Sequence, residues 1–208
     1  MSTSFIILRH GETVENASGR WQGQLDGALT ALGVAQASAA GRRLAGCAID
    51  ALYASDLGRT RHTAQLIAEH TGHTIQLDAR LRERHFGVFQ GLTMAEMTER
   101  YPQEWAAYSS HDPAYAPPGG ESMHQLCERS LACFSELADR HAGGSVLVIT
   151  HGGVLNCLLR TVLGLPFELP RRFSGRHTAF NRFVYSDKGG RLETWGDVSH
   201  LTGLTPPD

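Results

Sequence analysis

The sequence predicts an α/β protein, a three-layer α/β/α sandwich around a mainly parallel sheet. Three observations lead there. Apolar runs of strand length alternate with longer segments of helical periodicity. The clearest run, Val146-Leu147-Val148-Ile149, is continuous and mostly β-branched, as suits a strand buried on both faces. The chain has 208 residues, 41% hydrophobic and 19% charged, which suffices for one domain with a sizeable core. We therefore expect a single domain over residues 1–208, with a small cap segment at about 88–121.

The elements follow in order. Phe5 to Arg9 is a short apolar run stopped by Gly11, a buried strand. Thr30 to Ala45 is a helix with Thr30 as N-cap and Leu32, Val34, Ala37, Ala40 and Leu44 on one broad face. Asp50 to Ala54 is a strand, Leu57 to His70 a helix ended by Gly72, and Thr74 to Leu77 another strand. Met94 to Tyr108 holds short helices broken at Pro102. The stretch from Pro113 to Gly120, with three prolines and two glycines, is the strongest loop signal. Ser122 to His141 is a long helix, Ser145 to Thr150 a central strand and Gly152 to Leu163 a helix. Asn181 to Tyr185 and Leu192 to Trp195 form a hairpin around Lys188-Gly189-Gly190. Thr205 to Asp208 should be loose.

The formal net charge of -2 gives no global basic field for nucleic acid or an anionic membrane, so an anion must be held by a local cluster. No stretch reaches the ~18 apolar residues of a membrane span, and Phe5–Leu8 is too short for a signal segment. A cytoplasmic protein is the default. Cys47, Cys127, Cys133 and Cys157 form no C-x-x-C pair and are expected as buried thiols. The eleven histidines show no metal-ligand spacing. A homodimer is compatible with the chain, but no sequence feature argues for one.

Parallel sheets bind ligands beyond the carboxyl ends of their strands. Two expected strands end there in histidine followed by glycine: Arg9-His10-Gly11-Glu12-Thr13 and Thr150-His151-Gly152-Gly153. Glycine lets the backbone turn sharply against a ligand. The second motif also opens a helix, whose free N–H groups favour an anion. A third block, Ser55-Asp56-Leu57-Gly58-Arg59, again follows a strand. Ser55 and Asp56 suit N-caps. Arg59 falls in the helix's first turn, where a cation opposes the helix dipole unless it holds an anion. Arg61, roughly 200° further round, suits the surface. Glu83 stands between Arg82 and Arg84 after the third strand. It is either part of a surface ion-pair network or a carboxyl group in the crevice.

These blocks, in this order, resemble the histidine phosphatase superfamily, in its branch of cofactor-dependent phosphoglycerate mutases and related phosphatases. Asn16, Gly19-Arg20-Trp21-Gln22-Gly23, Leu81-Arg82-Glu83, Pro118-Gly119-Gly120-Glu121-Ser122 and Ser199-His200-Leu201 extend the likeness from about Phe5 to Leu201. The resemblance implies the phosphoglycerate mutase-like fold and a set of roles. His10 matches the nucleophile. Arg9, Arg59 and His151, with Gly152, match the groups around the phosphoryl oxygens. Glu83 matches the general acid and base. Asn16 and Gln22 match positions reaching the phosphate or substrate. Glu15 and Gln90 depart from the pattern, which commonly has tryptophan and glutamate there, and are expected to affect substrate shape.

Phosphoryl transfer asks mainly for positioning and charge stabilisation. Arginine forks match the phosphoryl oxygens, so neither metal nor cofactor is required. Neighbouring cations should keep His10 neutral, a backbone carbonyl could fix its tautomer, and His151, if protonated, adds another cation. The expected partner is a small phosphorylated metabolite. The expected activity is hydrolysis of small phosphate esters through a phosphohistidine. A segment of about thirty-five residues between Gly87 and Ser122 is short for a cap, which leaves the site open to water. The alternatives are a cofactor-dependent phosphoglycerate mutase and, in another class, a non-catalytic phosphate-binding regulatory module.

Overall fold

The computed structural model describes residues 1–204; the expected loose end at Thr205–Asp208 lies outside them. Six strands form one sheet: β1 (Thr3–Arg9), β2 (Ala51–Ala54), β3 (Ile75–Leu77), β4 (Ser145–Thr150), β5 (Phe180–Ser186) and β6 (Gly189–Asp197). Their order is β3-β2-β4-β1-β5-β6. The first four are mutually parallel, while β5 runs antiparallel to β1 and pairs with β6 in the expected hairpin.

The central strand shows why the sheet needs two helical layers. Side chains alternate across a strand. Val146 and Val148 enter one core with Phe134, Leu155 and Leu158; Leu147 and Ile149 enter the other with Leu44, Ala64 and Ile67. The first core is covered by α6 (Met123–Arg140) and α7 (Gly152–Leu163), the second by α2 (Ala31–Leu44) and α3 (Gly58–Thr71). All four strand residues are fully buried, which explains the unbroken apolar run.

Local chemistry sets the helix ends. Thr30 Oγ1 accepts from Gly33 N and starts α2. Ser122 and Gln125 form a reciprocal capping box at α6. Gly72 and Gly164 close α3 and α7 in the left-handed conformation. The cap holds α4 (Met94–Arg100) and α5 (Pro102–Ser109), and Pro102 opens the second of them. A four-residue helix, α1 (Val14–Ala17), escaped the sequence reading, being too short to show periodicity.

Two expectations are corrected. Neither Ser55 nor Asp56 caps α3: Leu57 holds that position without a side-chain bond, and Asp26 Oδ1 accepts from Gly58 N at 2.7 Å. The cysteines are not all buried thiols. Cys127 and Cys157 are joined between α6 and α7, Cys133 is buried, and Cys47 is exposed. Helix packing, and not a local motif, brings the first two together. No helix among the described residues is long and apolar enough to cross a membrane.

Candidate active site

Strand register builds the site. β1 and β4 are neighbours, and Arg9 lies opposite Thr150. The next residues, His10 and His151, therefore emerge side by side at the carboxyl rim, their ring centroids 5.2 Å apart. His10 N also donates to Thr150 O at 3.0 Å, extending the ladder by one bond. The loop after His10 is packed on α2 so closely that a methyl group on Gly11 would collide with the carbonyl of Gly33.

His10 is 2% exposed. Its Nδ1 lies 2.7 Å from Gly11 O. A carbonyl can only accept, so this bond puts the proton on Nδ1 and leaves Nε2 with a lone pair. Arg59 Nε donates to that Nε2 at 3.2 Å. The His10 pKa is pushed well below its usual value, first by burial and then by Arg59, Arg9 and His151. The expected neutrality of His10 holds, but burial outweighs the neighbouring charge as its cause.

Arg59 is 1% exposed, as its place in the first helical turn suggested, and Arg61 is exposed. Its terminal nitrogens donate to Leu25 O at 2.7 Å and to Gly23 O at 2.6 Å. One of them also lies 3.2 Å from His151 Nδ1. His151 Nε2 lies 2.9 Å from Ser55 Oγ. Burial, then Arg59 and Arg9, pushes the His151 pKa well below its usual value. Ser55, offered as a helix cap, instead orients this ring.

Arg9 anchors one terminal nitrogen on Gly175 O at 3.0 Å. Its Nε is buried with no partner among the described residues. Such a donor costs free energy unless an acceptor reaches it. Burial, first, lowers the Arg9 pKa to about 10, which leaves it charged at neutral pH.

Glu83 enters the site, resolving the choice left open by its sequence. Its Oε1 accepts from Arg84 N at 2.8 Å, and both of its carboxylate oxygens accept from Gly153 N at 3.1 Å. The carboxylate thus rests on the first turn of α7, where the helix dipole favours an anion. A methyl group at Gly153 would collide with Glu83 Oε1. The flanking arginines are spent elsewhere: Arg82 forms a two-bonded pair with Asp56, and Arg84, though it lines the cavity, donates to Glu121 O and Tyr115 O.

Gln22 and Asn16 line the same cavity. Gln22 Oε1 accepts from the Thr13 hydroxyl at 3.0 Å and Nε2 donates to Glu15 at 2.9 Å, so the departure at Glu15 fixes the Gln22 amide. Asn16 Oδ1 lies 3.1 Å from His177 Nε2. Gln90, the second departure, accepts from Gln24 N at 2.8 Å and holds the loop beneath the site.

Three contributors escaped the sequence reading. His177 has its ring 5.7 Å from that of His10, and burial lowers its pKa to about 3. The signal was its place just before β5: an antiparallel strand begins at the rim where parallel ones end. Arg171 lines the same pocket from a loop without pattern. Arg129, on α6, donates to the carbonyls of Arg80, Arg82 and Glu83 and pairs with Glu121 at 2.6 Å, so it fixes the segment carrying Glu83.

Arg9, His10, Arg59, Glu83 and Arg171 open into a cavity of about 500 Å³. Of the cap aromatics, Tyr108 and Tyr115 line it, beside Trp21 and Phe86. Trp105 instead stacks on Tyr108 and packs edge-on against Phe89. A buried imidazole whose Nε2 carries the lone pair, two arginine forks and a carboxylate together suit transfer of a tetrahedral anion.

The probable phosphoglycerate mutase GpmB of Klebsiella pneumoniae is 40% identical over 200 residues, covering 94% of this chain and 93% of its relative. Among solved structures, Bacillus stearothermophilus YhfR superposes with a TM-score of 0.88 at 32% identity, covering 96% of this chain and 99% of the other. Mycobacterial glucosyl-3-phosphoglycerate phosphatase Rv2419c superposes with a TM-score of 0.81 at 32% identity, covering 95% and 100%. The profile of the histidine phosphatase superfamily (branch 1) matches residues 5–198, and the chain belongs to that family.

Proposed function

We propose that this protein hydrolyses small phosphate monoesters through a phosphohistidine on His10. The observation carrying the reading is the locked tautomer of His10: Nδ1–H is spent on Gly11 O, so Nε2 carries the lone pair that attack needs, and a substrate displaces its 3.2 Å bond from Arg59 Nε. Nε2 attacks phosphorus in line. The P–O ester bond breaks, and Glu83 gives its proton to the leaving alcohol oxygen. Glu83 then takes a proton from water as the water oxygen attacks phosphorus. The P–N bond breaks, and inorganic phosphate leaves.

Arg9 and Arg59 hold the charge on the three equatorial oxygens. The unpartnered Nε of Arg9 supports that role, because an acceptor in the pocket would satisfy it. The arginine forks supply the charge neutralisation for which a metal ion is otherwise used, so we expect EDTA to leave activity intact. Loss of activity in EDTA with rescue by zinc or magnesium would sink that expectation.

A phosphoglycerate mutase is the second reading. It is favoured by the 40% identity to a relative named a probable phosphoglycerate mutase, which is of similar length. The two reactions differ in the phosphoryl acceptor, water or a second substrate hydroxyl. The test is turnover of p-nitrophenyl phosphate and 3-phosphoglycerate by wild type and His10→Ala. Free phosphate and 2-phosphoglycerate are both assayed, the latter with and without 2,3-bisphosphoglycerate. Free phosphate that disappears in His10→Ala supports the phosphatase. Isomerised phosphoglycerate with little free phosphate establishes the mutase. Phosphate binding with neither product puts the regulatory module first.

A further inference from the structure

A second wall of the cavity carries two arginines that the phosphoryl chemistry does not use. Arg160, at the end of α7, is 4% exposed. Its three nitrogens donate to Asn156 Oδ1, Pro166 O and Leu169 O, all uncharged acceptors. Arg171 spends only Nε, on Phe173 O at 3.0 Å. Neither arginine has a carboxylate partner among the described residues.

Both guanidinium groups are held against one ring. The Phe173 centroid is 5.2 Å from the Arg171 guanidinium carbon and 5.8 Å from that of Arg160, and Phe173 is wedged edge-on against Trp195 at 5.4 Å. Aromatic faces favour cations, but two cations gathered at one ring repel each other unless an anion joins them. Burial, first, lowers the Arg171 pKa; Glu83 supports its charge, Arg160 opposes it, and Arg171 in turn opposes the charge of Arg9.

Gly152 ties this wall to the phosphoryl site. A methyl group there would lie 3.8 Å from Arg9 Nε and 3.9 Å from a terminal nitrogen of Arg171. The two guanidinium groups thus flank one glycine, and the absence of a side chain leaves the space between them to the substrate.

We propose that Arg171 is a specificity-determining residue that binds a second anionic group of the substrate, a carboxylate or a second phosphate close to the ester being cleaved. Arg160 is the positioning residue behind it, holding the 166–169 turn and adding charge. The proposal rests on the phosphatase reading. Its chemistry is recognition only: Nε of Arg171 is spent on the loop, and the terminal nitrogens can engage two oxygens of one anion.

The test compares matched esters that differ in the second anion. 3-Phosphoglycerate is set against glycerol 3-phosphate, which has a hydroxymethyl group where the former has a carboxylate. Fructose 1,6-bisphosphate is set against fructose 6-phosphate. For each pair, the ratio of kcat/KM values is measured in wild type, Arg171→Gln and Arg171→Lys. We expect wild type to prefer the doubly anionic member of one pair, and the pair identifies the anion. Arg171→Gln should reduce that ratio about tenfold, mainly through KM, as loss of a charge-assisted hydrogen bond implies. Arg171→Lys should restore part of it. A ratio unchanged in Arg171→Gln, or no wild-type preference in either pair, overturns the subsite while leaving the phosphatase standing. If wild type turns over none of the esters, the phosphatase reading fails, and calorimetric binding of the same pairs decides the subsite: preferential binding lost in Arg171→Gln supports it, and equal binding refutes it.

Discussion

Arg59 Nε donates to His10 Nε2 across 3.2 Å, and both side chains are all but completely buried. The atom expected to attack phosphorus is thus held by the guanidinium expected to receive the phosphoryl oxygens. Lysine keeps the charge but not the fork, and cannot reach His10, Gly23 O and Leu25 O together. Arg59→Lys should lower kcat/KM by about 10²-fold or more, on the scale of removing one fixed donor from a transition state. Steady-state kinetics on p-nitrophenyl phosphate check this, and a fully active lysine variant would sink it.

Glu83 and Gly153 form a second such pair. Because a methyl group at Gly153 would strike Glu83 Oε1, Gly153→Ala should move the carboxylate without removing it. Its kcat should fall in the same direction as that of Glu83→Gln, for which general acid–base loss implies about 10²–10⁴-fold. Alkaline-quench trapping, which spares the acid-labile P–N bond, should show longer-lived phosphohistidine in Glu83→Gln, because water then lacks its base. Rapid release of phosphate from that variant would place the base elsewhere.

Arg129 joins α6 to the Glu83 segment through three carbonyls and Glu121. Both partners of the ion pair are mostly buried, with side chains 21% and 15% exposed. Removing one partner strands the other. Arg129→Ala should cost roughly 2–4 kcal/mol, read as a lowered urea midpoint with an unchanged slope. An unaltered midpoint would show that the carbonyls are satisfied without it.

Acid should destabilise the fold through its buried histidines. Burial lowers His177 from its ordinary 6.5 to about 3 and His200 to about 4. Above pH 6.5 these groups are neutral in both folded and unfolded chains, so their linkage contribution is flat. Below it the unfolded chain takes up protons that the folded one refuses. Stability therefore falls with falling pH until about pH 3 for His177. His177→Gln should flatten the pH dependence of the urea midpoint between pH 6 and 4, and a slope equal to that of wild type would show that His177 does not titrate this way.

Much of this was written in the chain itself. Val146–Ile149 had to be a strand buried on both faces, because nothing in it is polar. His10-Gly11 and His151-Gly152 had to sit at strand ends, because glycine and the following helix signals stop the strands there. Arg59 was conspicuous as a cation placed against a helix dipole. Each of these is a local signal, set by periodicity or by a neighbour a few residues away. What only the tertiary structure decided depends on packing between distant segments. Register between β1 and β4 set the two histidines side by side. Glu83 parted from its flanking arginines because Asp56 and the cap carbonyls took them and Gly153 took the carboxylate. Ser55 turned from a helix cap into the partner of His151, and Cys127 met Cys157 across two helices. His177 and Arg171 joined the site from segments with no pattern of their own, and Arg129 from a helix whose partners its periodicity does not name, because the antiparallel β5 starts at the rim and α6 packs beneath the loop it holds. The chemistry was local in sequence; the choice of partner for each charge was not, because desolvation and hydrogen-bond satisfaction act only where the folded chain brings groups together.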